Sequence, residues 1–424
     1  MKIAIISDLH LNKTIYKTVM DRKNSNLPFR HVDFMRSFKW MVDKCIQDIK
    51  PNLIVINGDV YDNPHPSNEV RGFFSSQLHR LYSNNIRVII LTGNHDVLKH
   101  THSLADIKKL GLGELKVIDQ FYIEDFENYR LVFMPYSLDI EQKKTTVRGE
   151  FQNVLNKIKS EPSPYPLIFF GHFGVKRAIL NSYYKNPDDK TTTTPTLIKK
   201  ENNADDTPYF SRRAEDVECE WLDDLGAEYI FLGDFHKHQI LNIKTHGFYV
   251  GSIEKGDMNE IKQPKGFMVF DSEGETIKDY GKSRFIEYPN CRPMLEIRGT
   301  IQEIRNKFGS LDYSKYMESI VKLVFFGNKR DFLDFASGIE SLKKEIQEKL
   351  NPIHIFTHNP HPHDKNEEEK ISELTKEIME KGHITDEDVL TVIKEMITET
   401  VKDKEEQSKV SELAVEIYQE VMGK

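Results

Sequence analysis

Cysteine and long apolar runs are both scarce in this chain of 424 residues. The three cysteines, Cys45, Cys219 and Cys291, lie far apart and form no CxxC pair. This spacing argues against a disulfide framework and against a cysteine zinc site. No run reaches the roughly 18 apolar residues that a membrane-spanning helix needs. The apolar stretch after Met1 is too short for a secretion signal, so we expect a cytoplasmic protein.

The sequence also lacks the positive net charge that is common among DNA-binding proteins, since its formal charge is −8. The acidity is concentrated in residues 360–424, whose net charge is −9, which leaves +1 for the rest. Residues 12–36 are locally basic, which is compatible with contact to phosphate and equally with a solvated loop. The candidate phosphate contacts in this segment are Lys13, Lys17, Arg22, Lys23 and Arg30.

Short apolar runs rich in Ile, Val and Phe recur through the first 251 residues. Their length and β-branched content predict buried strands. Helical patterns at residues 34–49 and 70–82 lie between some of them, and this alternation predicts a layered α/β domain. The predicted strands span residues 3–6, 53–56, 88–91, 131–134, 167–170, 229–232 and 248–250.

A different pattern begins near Pro293 and predicts a small α+β domain. Its strands are expected at residues 294–297, 320–326 and 353–356, and its helices at 301–308 and 332–350. Residues 181–218 interrupt the main domain and have the composition of a long loop. We therefore expect an α/β domain at residues 1–285, an α+β capping domain at 286–358, a linker at 359–366 and a helical segment at 367–424.

Polar clusters follow five of the predicted strands at their carboxyl ends, where open α/β sheets build their sites. Carboxylate, imidazole and amide ligands suit a hard or borderline dication. There are enough of them for two ions that share a carboxylate, about 3.5–4 Å apart. A glycine immediately before four of the clusters suits a tight turn. The clusters are SDLH at 7–10, GDVYD at 58–62, GNHD at 93–96, GH at 171–172 and GDFH at 233–236.

Together these clusters resemble the signature of the calcineurin-like metallophosphoesterase superfamily. The segments GDVYDNPHPS, GHFGVKRAILNS and GSIEKGDMNEIKQPKGF resemble its SbcD-like branch, the bacterial and phage counterparts of the eukaryotic meiotic recombination nuclease. The resemblance implies layered β-sheets flanked by helices and two divalent metal ions, with manganese preferred and magnesium as the alternative. It also implies hydrolysis of phosphodiester bonds at DNA ends, in the cytoplasm of a bacterium or a phage-infected host.

The resemblance assigns a role to each matching residue. His95 would contact the scissile phosphate or protonate the leaving oxygen, and Asp96 would orient His95. Asp62 stands where some relatives carry a second catalytic histidine, which leaves an acid role for Asp62 open. Asp234 replaces the first histidine of the usual GHxH motif, which changes the charge of the site. The implied ligands are Asp8, His10, Asp59 and His236 for one metal, and Asp59, Asn94, His172 and Asp234 for the other, with Asp59 bridging.

The resemblance also implies partners. The chain has no GxxxxGK[ST] motif and so no P-loop of its own. Any ATP would be bound by an SbcC-like SMC-type ATPase subunit, which would dock on the C-terminal helices. The DNA substrate would be an end, a single strand or a hairpin, with Lys176 and Arg177 as further contacts, and the chain would form a homodimer.

Three alternatives remain open from the sequence. The apolar stripe of Val70, Phe73, Phe74, Leu78 and Leu81 is either core or the homodimer interface. The enzyme could instead be a protein or small-molecule phosphoesterase on the same fold. The third alternative is a non-catalytic DNA-tethering scaffold, against which the complete ligand set argues.

Overall fold

The structure is a computed structural model that describes residues 1–14, 19–21, 26–109, 113–176, 178, 216–325 and 332–358, the side chains of 332–337 excepted. The chain divides into two compact units, Met1–Leu323 with Ser337–Thr357, and Val324–Ala336 with His358–Lys424. The first unit contains every site residue that the structure describes. The domain boundaries expected from the sequence remain predictions, and the linker and the C-terminal helical segment lie outside the described residues.

The described chain contains both helices and strands. The helices are α1 (Phe29–Lys44), α2 (Asn68–Ser83), α3 (Ala105–Lys109), α4 (Leu138–Glu141), α5 (Val147–Ser160), α6 (Ile301–Gly309) and α7 (Phe332–Leu350), with a π-helical turn at Cys45–Ile49 and 3-10 turns at Cys219–Leu225, Met258–Glu260 and Tyr313–Tyr316. The strands are β1 (Lys2–Ile6), β2 (Met20–Asp21), β3 (Leu27–Pro28), β4 (Leu53–Asn57), β5 (Arg87–Leu91), β6 (Val97–Leu98), β7 (Thr101–His102), β8 (Leu115–Ile118), β9 (Tyr122–Phe126), β10 (Tyr129–Met134), β11 (Leu167–His172), β12 (Tyr229–Gly233), β13 (Gln239–Ile240), β14 (His246–Tyr249), β15 (Gly266–Asp271), β16 (Ser283–Glu287), β17 (Met294–Gly299), β18 (Ile320–Phe325) and β19 (His354–His358).

Two six-stranded sheets form the main domain. The first has the order β16-β15-β1-β4-β5-β8, and the second has the order β13-β14-β12-β11-β10-β9. Strands β1, β4, β5 and β8 are parallel, as are β10, β11, β12 and β14. Antiparallel pairing occurs at one end of the first sheet, with β15 and β16, and at both ends of the second, with β9 and β13. All seven strands predicted for this domain are confirmed.

The two sheets pack face to face, and helices cover their outer faces. Because side chains alternate along a strand, Ile3 and Ile5 of β1 point into the core between the sheets, where they meet Phe170 and Phe231. Ala4 and Ile6 point the other way, toward α1 and α2. Helix α5 packs on the outer face of the second sheet. The fold is therefore four layers, helix–sheet–sheet–helix, in agreement with the layered α/β domain expected from the sequence.

The small α+β pattern near residue 293 is also confirmed. Strands β17, β18 and β19 form a three-stranded sheet in that order, and helices α6 and α7 lie between them in sequence. Helix α6 begins at a capping box, in which Thr300 accepts from the Glu303 amide and Glu303 accepts from the Thr300 amide.

The apolar stripe on α2 belongs to the core. Val70, Phe74, Leu78 and Leu81 are buried, and Phe73 packs partly buried against the same cluster. The described helix therefore uses this stripe for folding. Among the described residues, no helix has the length and apolar character needed to cross a bilayer.

Candidate metal centre

The site lies where parallel strands of both sheets end. Strands β1, β4 and β5 lead into the clusters at Asp8, Asp59 and Asn94, and strand β4 packs against β11 and β12 of the other sheet. Strand β11 ends at His172, and β12 ends immediately before Asp234. The face-to-face packing thus brings ligands from two sheets to one edge, as the position of the motifs predicted.

Several predicted ligands have a backbone conformation that non-glycine residues rarely adopt. The φ angles of Asp8, His10, Asp59 and Asp234 are 52°, 42°, 51° and 95°. Each such residue costs of order 1–3 kcal/mol and persists only where its surroundings impose the conformation, most often at functional sites. The strain at four of the seven predicted ligands is therefore itself evidence that the site is functional.

Glycines occupy positions where a side chain would collide with these ligands or with residues beside them. A Cβ on Gly58, whose φ is +91°, would lie 2.0 Å from His172 Nδ1. A Cβ on Gly93 would lie 2.1 Å from Asp59 Oδ1, and one on Gly233 would lie 2.2 Å from Ser7 Oγ. The tight turn expected from the sequence explains only Gly58. The other two glycines are required because a neighbouring loop approaches closely.

Two histidines face each other across the first half of the site. His10 Nε2 lies 2.9 Å from His236 Nε2, and the Asp8 carboxylate belongs to the same group of candidate ligands. Two nitrogens that each bind one cation at about 2.0–2.1 Å lie about 3 Å apart when they occupy neighbouring positions. The observed separation fits a shared cation.

Asp59 lies between the two halves. Its Oδ2 is 3.7 Å from His10 Nε2, and its Oδ1 is 3.4 Å from His172 Nε2. In the second half, His172 Nε2 lies 3.1 Å from Asn94 Oδ1, and the group of candidate ligands there is Asp8, Asp59 and His172. Asp8 therefore neighbours both halves, whereas the sequence placed it at one metal only.

The electrostatics of the site fit bound cations. Asp8 is completely buried, and its Oδ2 has no hydrogen-bond partner. Burial alone would raise the pKa of Asp59, but the His172 and His10 imidazoles outweigh it and hold that pKa below its usual range. Burial would lower the pKa of His172, but Asp59 raises it to about 10. A proton on the His172 imidazole thus balances the buried Asp59 carboxylate, and a dication would replace that proton.

Asp234 lies next to Asp8. Its backbone N–H donates to Asp8 Oδ1 at 3.2 Å, and its side chain is half-buried. Its carboxylate also contributes to the raised pKa of His172. An aspartate at this position therefore adds negative charge where the family motif has a neutral imidazole.

His95 and Asp62 form the exposed rim of the site. The exposed His95 ring stands perpendicular to His10 with 5.0 Å between ring centres, and its Nδ1 donates to the Asp62 carbonyl at 2.6 Å. The Asp62 carboxylate pairs with Lys13 at 2.6 Å. Burial would raise the pKa of Asp62, but His10 and Lys13 hold it below its usual range. Asp62 is therefore an ionised carboxylate, which is unsuited to donate a proton.

Asp96 has a different role from the one predicted. Its buried carboxylate accepts from the backbone N–H groups of Gly93, Val60 and Tyr61 at 3.0, 3.2 and 3.2 Å. Burial and the Asp59 charge raise the pKa of Asp96 to about 6, against these hydrogen bonds. The Asp62 carbonyl, and not Asp96, contacts the His95 ring, so the described structure shows no direct contact through which Asp96 would orient His95. Asp96 instead ties the GDVYD and GNHD loops together.

The basic residues expected to contact DNA differ in their surroundings. Lys13 is paired with Asp62, and Lys176 donates to Glu218 at 2.6 Å. Arg30 is corrected, because its side chain is only 5% exposed and pairs with Asp33 at 2.6 Å. A buried guanidinium held in this way is unavailable to phosphate. Lys17, Arg22, Lys23 and Arg177 lie outside the described residues.

Sequence reasoning missed three supporting residues. Asn57 is completely buried at the end of β4, and its amide donates to the Gly171 and Phe231 carbonyls at 2.9 and 3.0 Å, which joins the two sheets at the site. Glu260 accepts from His236 Nδ1 at 2.9 Å and pairs with Lys265 at 2.7 Å. The signal for Asn57 was its place as a polar residue at the end of a buried apolar run. The signal for Glu260 and Lys265 was the motif segment GSIEKGDMNEIKQPKGF, which contains both.

A four-layer fold with candidate dication ligands at its central strand ends is the arrangement of a metal-dependent phosphoesterase. The model of the family described as calcineurin-like phosphoesterase matches residues 1–238. The chain is 31% identical over 306 residues to the DNA double-strand break repair protein Mre11 of Methanocaldococcus jannaschii, which covers 70% of this chain and 69% of that relative. The chain therefore belongs to the calcineurin-like phosphoesterase family, in its SbcD- and Mre11-like branch, as its motifs predicted.

Two further relatives agree with this assignment. The chain is 24% identical over 315 residues to the SbcD subunit of the nuclease SbcCD of Staphylococcus epidermidis, covering 72% of this chain and 74% of that protein. It is 23% identical over 352 residues to the Mre11 protein of Methanosarcina acetivorans. That match covers 81% of this chain but only 48% of the relative, so the chain spans about half of that longer protein.

Proposed function

We propose that this protein is a metal-dependent DNA nuclease that hydrolyses phosphodiester bonds at DNA ends. The observation that carries the proposal is the convergence of Asp8, His10, Asp59, His172 and His236 at one edge of the paired sheets. The relatives include a DNA double-strand break repair protein and a nuclease subunit, which supports DNA as the substrate.

The proposed centre holds two divalent cations, with manganese preferred over magnesium. His10, His236 and Asp8 would hold one, His172, Asn94 and Asp234 would hold the other, and Asp59 would serve both. Bound cations supply Lewis acidity toward the phosphoryl group and the activated water that hydrolysis needs. The protein contributes the buried, strained loops that keep these side chains in place.

His95 is the proposed catalytic residue. Its Nδ1 donates to the Asp62 carbonyl, which leaves Nε2 as the nitrogen that can meet substrate. An imidazole held through one nitrogen at an exposed rim can contact the scissile phosphate, or give a proton to the leaving oxygen, through the other. Asp62, as an ionised carboxylate beside Lys13, has no part in this acid role in our proposal.

Two rival functions have specific observations against them. Protein phosphatases of this superfamily typically continue the GDxxD motif with Arg-Gly, whereas Asp62 here is followed by Asn63-Pro64. A non-catalytic DNA-tethering scaffold would have no need of an intact ligand set, or of four ligands in strained backbone conformations.

We further propose the partners implied by the family resemblance. An SbcC-like SMC-type ATPase would bind the C-terminal segment 367–424, and two copies of the chain would form a homodimer. Lys13 and Lys176 would approach the DNA backbone by exchanging their carboxylate partners for phosphates. Of the basic residues expected to contact DNA, these are the two that the described structure keeps as candidates.

A substrate comparison tests the proposal. Purified wild type and His95→Ala are incubated with manganese and linear duplex, single-stranded or hairpin DNA, and in parallel with a phosphotyrosyl peptide and a chromogenic phosphomonoester. The proposal expects wild type to cut DNA, and His95→Ala to cut it far more slowly. Faster hydrolysis of the monoesters than of DNA would favour the phosphatase alternative instead.

A further inference from the structure

Two similar arrangements of side chains converge on the first half of the centre. On one side Lys265 pairs with Glu260 at 2.7 Å, and Glu260 accepts from His236 Nδ1 at 2.9 Å. On the other side Lys13 pairs with Asp62 at 2.6 Å, and Asp62 Oδ1 lies 3.2 Å from His10 Nδ1. We call these the Glu260 arm and the Asp62 arm. Each consists of a lysine, a carboxylate and a histidine.

Each arm ends at a histidine, and these two histidines are neighbours. The Nε2 atoms of His10 and His236, which face away from the carboxylates, lie 2.9 Å from each other. A carboxylate at Nδ1 favours the tautomer whose hydrogen is on Nδ1, and so leaves the Nε2 lone pair for a cation. It also makes the imidazole a more basic ligand. Both arms therefore act on the same half of the centre.

Among the residues that the structure describes, the other half has no such arm. His172 Nδ1 donates to the backbone carbonyl of Asn57 at 2.8 Å, and a neutral carbonyl polarises an imidazole less than a carboxylate does. The remaining ligand of that half beside the carboxylates is the Asn94 amide oxygen, also neutral. The two halves of the centre thus differ in how strongly their neutral ligands are made to donate.

We propose that Glu260 and Asp62 are positioning residues that make the His10–His236 half the tighter metal site, so that the centre fills in order. The inference rests on the proposed dinuclear centre and deepens it. The Asn94–His172 half binds its cation more weakly, and its occupancy is the one that changes with the supply of free metal.

The two arms are unequal. Lys265 and Glu260 have side-chain exposures of 0% and 8%, and Glu260 also accepts from the Gly256 amide at 2.6 Å. Lys13 and Asp62 are each 18% exposed, and His10 Nδ1 has no aligned hydrogen bond. Because charge interactions weaken with solvent exposure, the Glu260 arm contributes more than the Asp62 arm.

Calorimetric titration of the metal-free full chain with Mn²⁺ tests the proposal, with the visible absorption of Co²⁺ as a second readout. The variants are Glu260→Gln and Asp62→Asn, which keep size and remove charge. Loss of such a supporting partner typically weakens metal binding by about 10–100-fold. We expect Glu260→Gln to weaken the tighter site by that amount, Asp62→Asn to weaken the same site less, and both to alter the same Co²⁺ bands.

Glu124→Gln is the matched control. Glu124 is 12% exposed on the edge strand β9 and pairs with Arg87 and Lys116 at 2.8 and 3.2 Å, so the variant also removes a charge from a half-buried ion pair. Its metal affinities should equal those of wild type. Asp62→Asn changes a more exposed side chain, so it decides the question even where Glu260→Gln folds poorly.

The outcomes separate this inference from the proposed nuclease function. Unchanged affinities in folded Glu260→Gln and Asp62→Asn, or a weakening of different sites by the two variants, would overturn the inference. Wild type that binds two ions with this ordering but cuts no DNA would overturn the nuclease proposal and leave the inference standing. Wild type that binds only one Mn²⁺ at saturating metal would overturn the dinuclear centre and this inference with it, while cleavage of DNA by that protein would leave the nuclease proposal standing.

Discussion

Substitution of Gly93 by alanine should disable the centre although Gly93 is no ligand. A Cβ there would lie 2.1 Å from Asp59 Oδ1, 2.3 Å from the Asp59 amide nitrogen and 2.8 Å from Asp59 Cγ. Ordinary contact begins near 3.4 Å, so the carboxylate oxygen would have to move by about 1.3 Å. Because the amide nitrogen is also struck, a rotation of the Asp59 side chain cannot relieve the clash.

The size of the effect follows from this displacement. Metal–ligand distances are tolerated to within about 0.2 Å, and a misplacement of about 1 Å in an active site costs about 100-fold in rate. Forcing one extra carbon into a packed region destabilises a protein by about 1–3 kcal/mol. We expect Gly93→Ala to fold, to bind Mn²⁺ weakly at both positions and to lose at least about 100-fold in DNA cleavage.

Gly72→Ala is the control for this experiment. Gly72 lies within α2, and nothing is within 4 Å of an added Cβ. Alanine in a helix interior is about 0.5–1 kcal/mol more favourable than glycine, so Gly72→Ala should raise the melting temperature and leave activity intact. Calorimetry with Mn²⁺, cleavage of end-labelled duplex DNA and thermal melts compare the variants. If Gly93→Ala bound two Mn²⁺ ions with wild-type affinity, the reasoning from close approach would be refuted.

Four further predictions follow from the same geometry. His95→Ala should keep both metals in a stoichiometry measurement and lose about 10²–10⁴-fold in cleavage rate, as expected for a missing proton donor; loss of a metal would make His95 a ligand. Asp59→Asn should lower Mn²⁺ occupancy at both positions, and full occupancy in calorimetry would exclude bridging. Asn57→Asp places a carboxylate against two carbonyl oxygens and should cost at least about 2 kcal/mol in urea unfolding; wild-type stability would contradict the role given to Asn57. Deletion of residues 366–424 should leave manganese-dependent cleavage of single-stranded DNA intact and abolish co-purification with an SbcC-like ATPase, whereas a complex of wild-type affinity would show that the segment has another role.

The strands of this fold were predictable because burial on both faces leaves continuous apolar runs, as at Leu53–Asn57 and Tyr229–Gly233. The small α+β domain was predictable because its elements alternate with clear periodicity. The pairing of two sheets was not, because the inward residues Ile3 and Ile5 and the outward residues Ala4 and Ile6 are equally apolar. Periodicity alone does not distinguish two apolar faces.

The metal centre was predictable to the extent that its ligands follow strands. His10, His172 and His236 come together as expected, because parallel strands deliver their ends to one edge. Glu260 was missed, since it lies in a 3-10 turn that no strand marks. The misassigned role of Asp96 and the buried state of Arg30 have a common cause. A sequence gives the charge of a side chain, whereas its partners are set by the tertiary fold.

Anomalous diffraction from manganese-soaked crystals of the full chain is the most direct test of the central claim. The account predicts two peaks, one contacting both His10 and His236, the other contacting His172 and Asn94, with the Asp59 carboxylate in contact with both. The first peak should persist at a lower manganese concentration than the second. Absence of manganese from the His10–His236 pair, or a single ion that does not contact Asp59, would contradict the account.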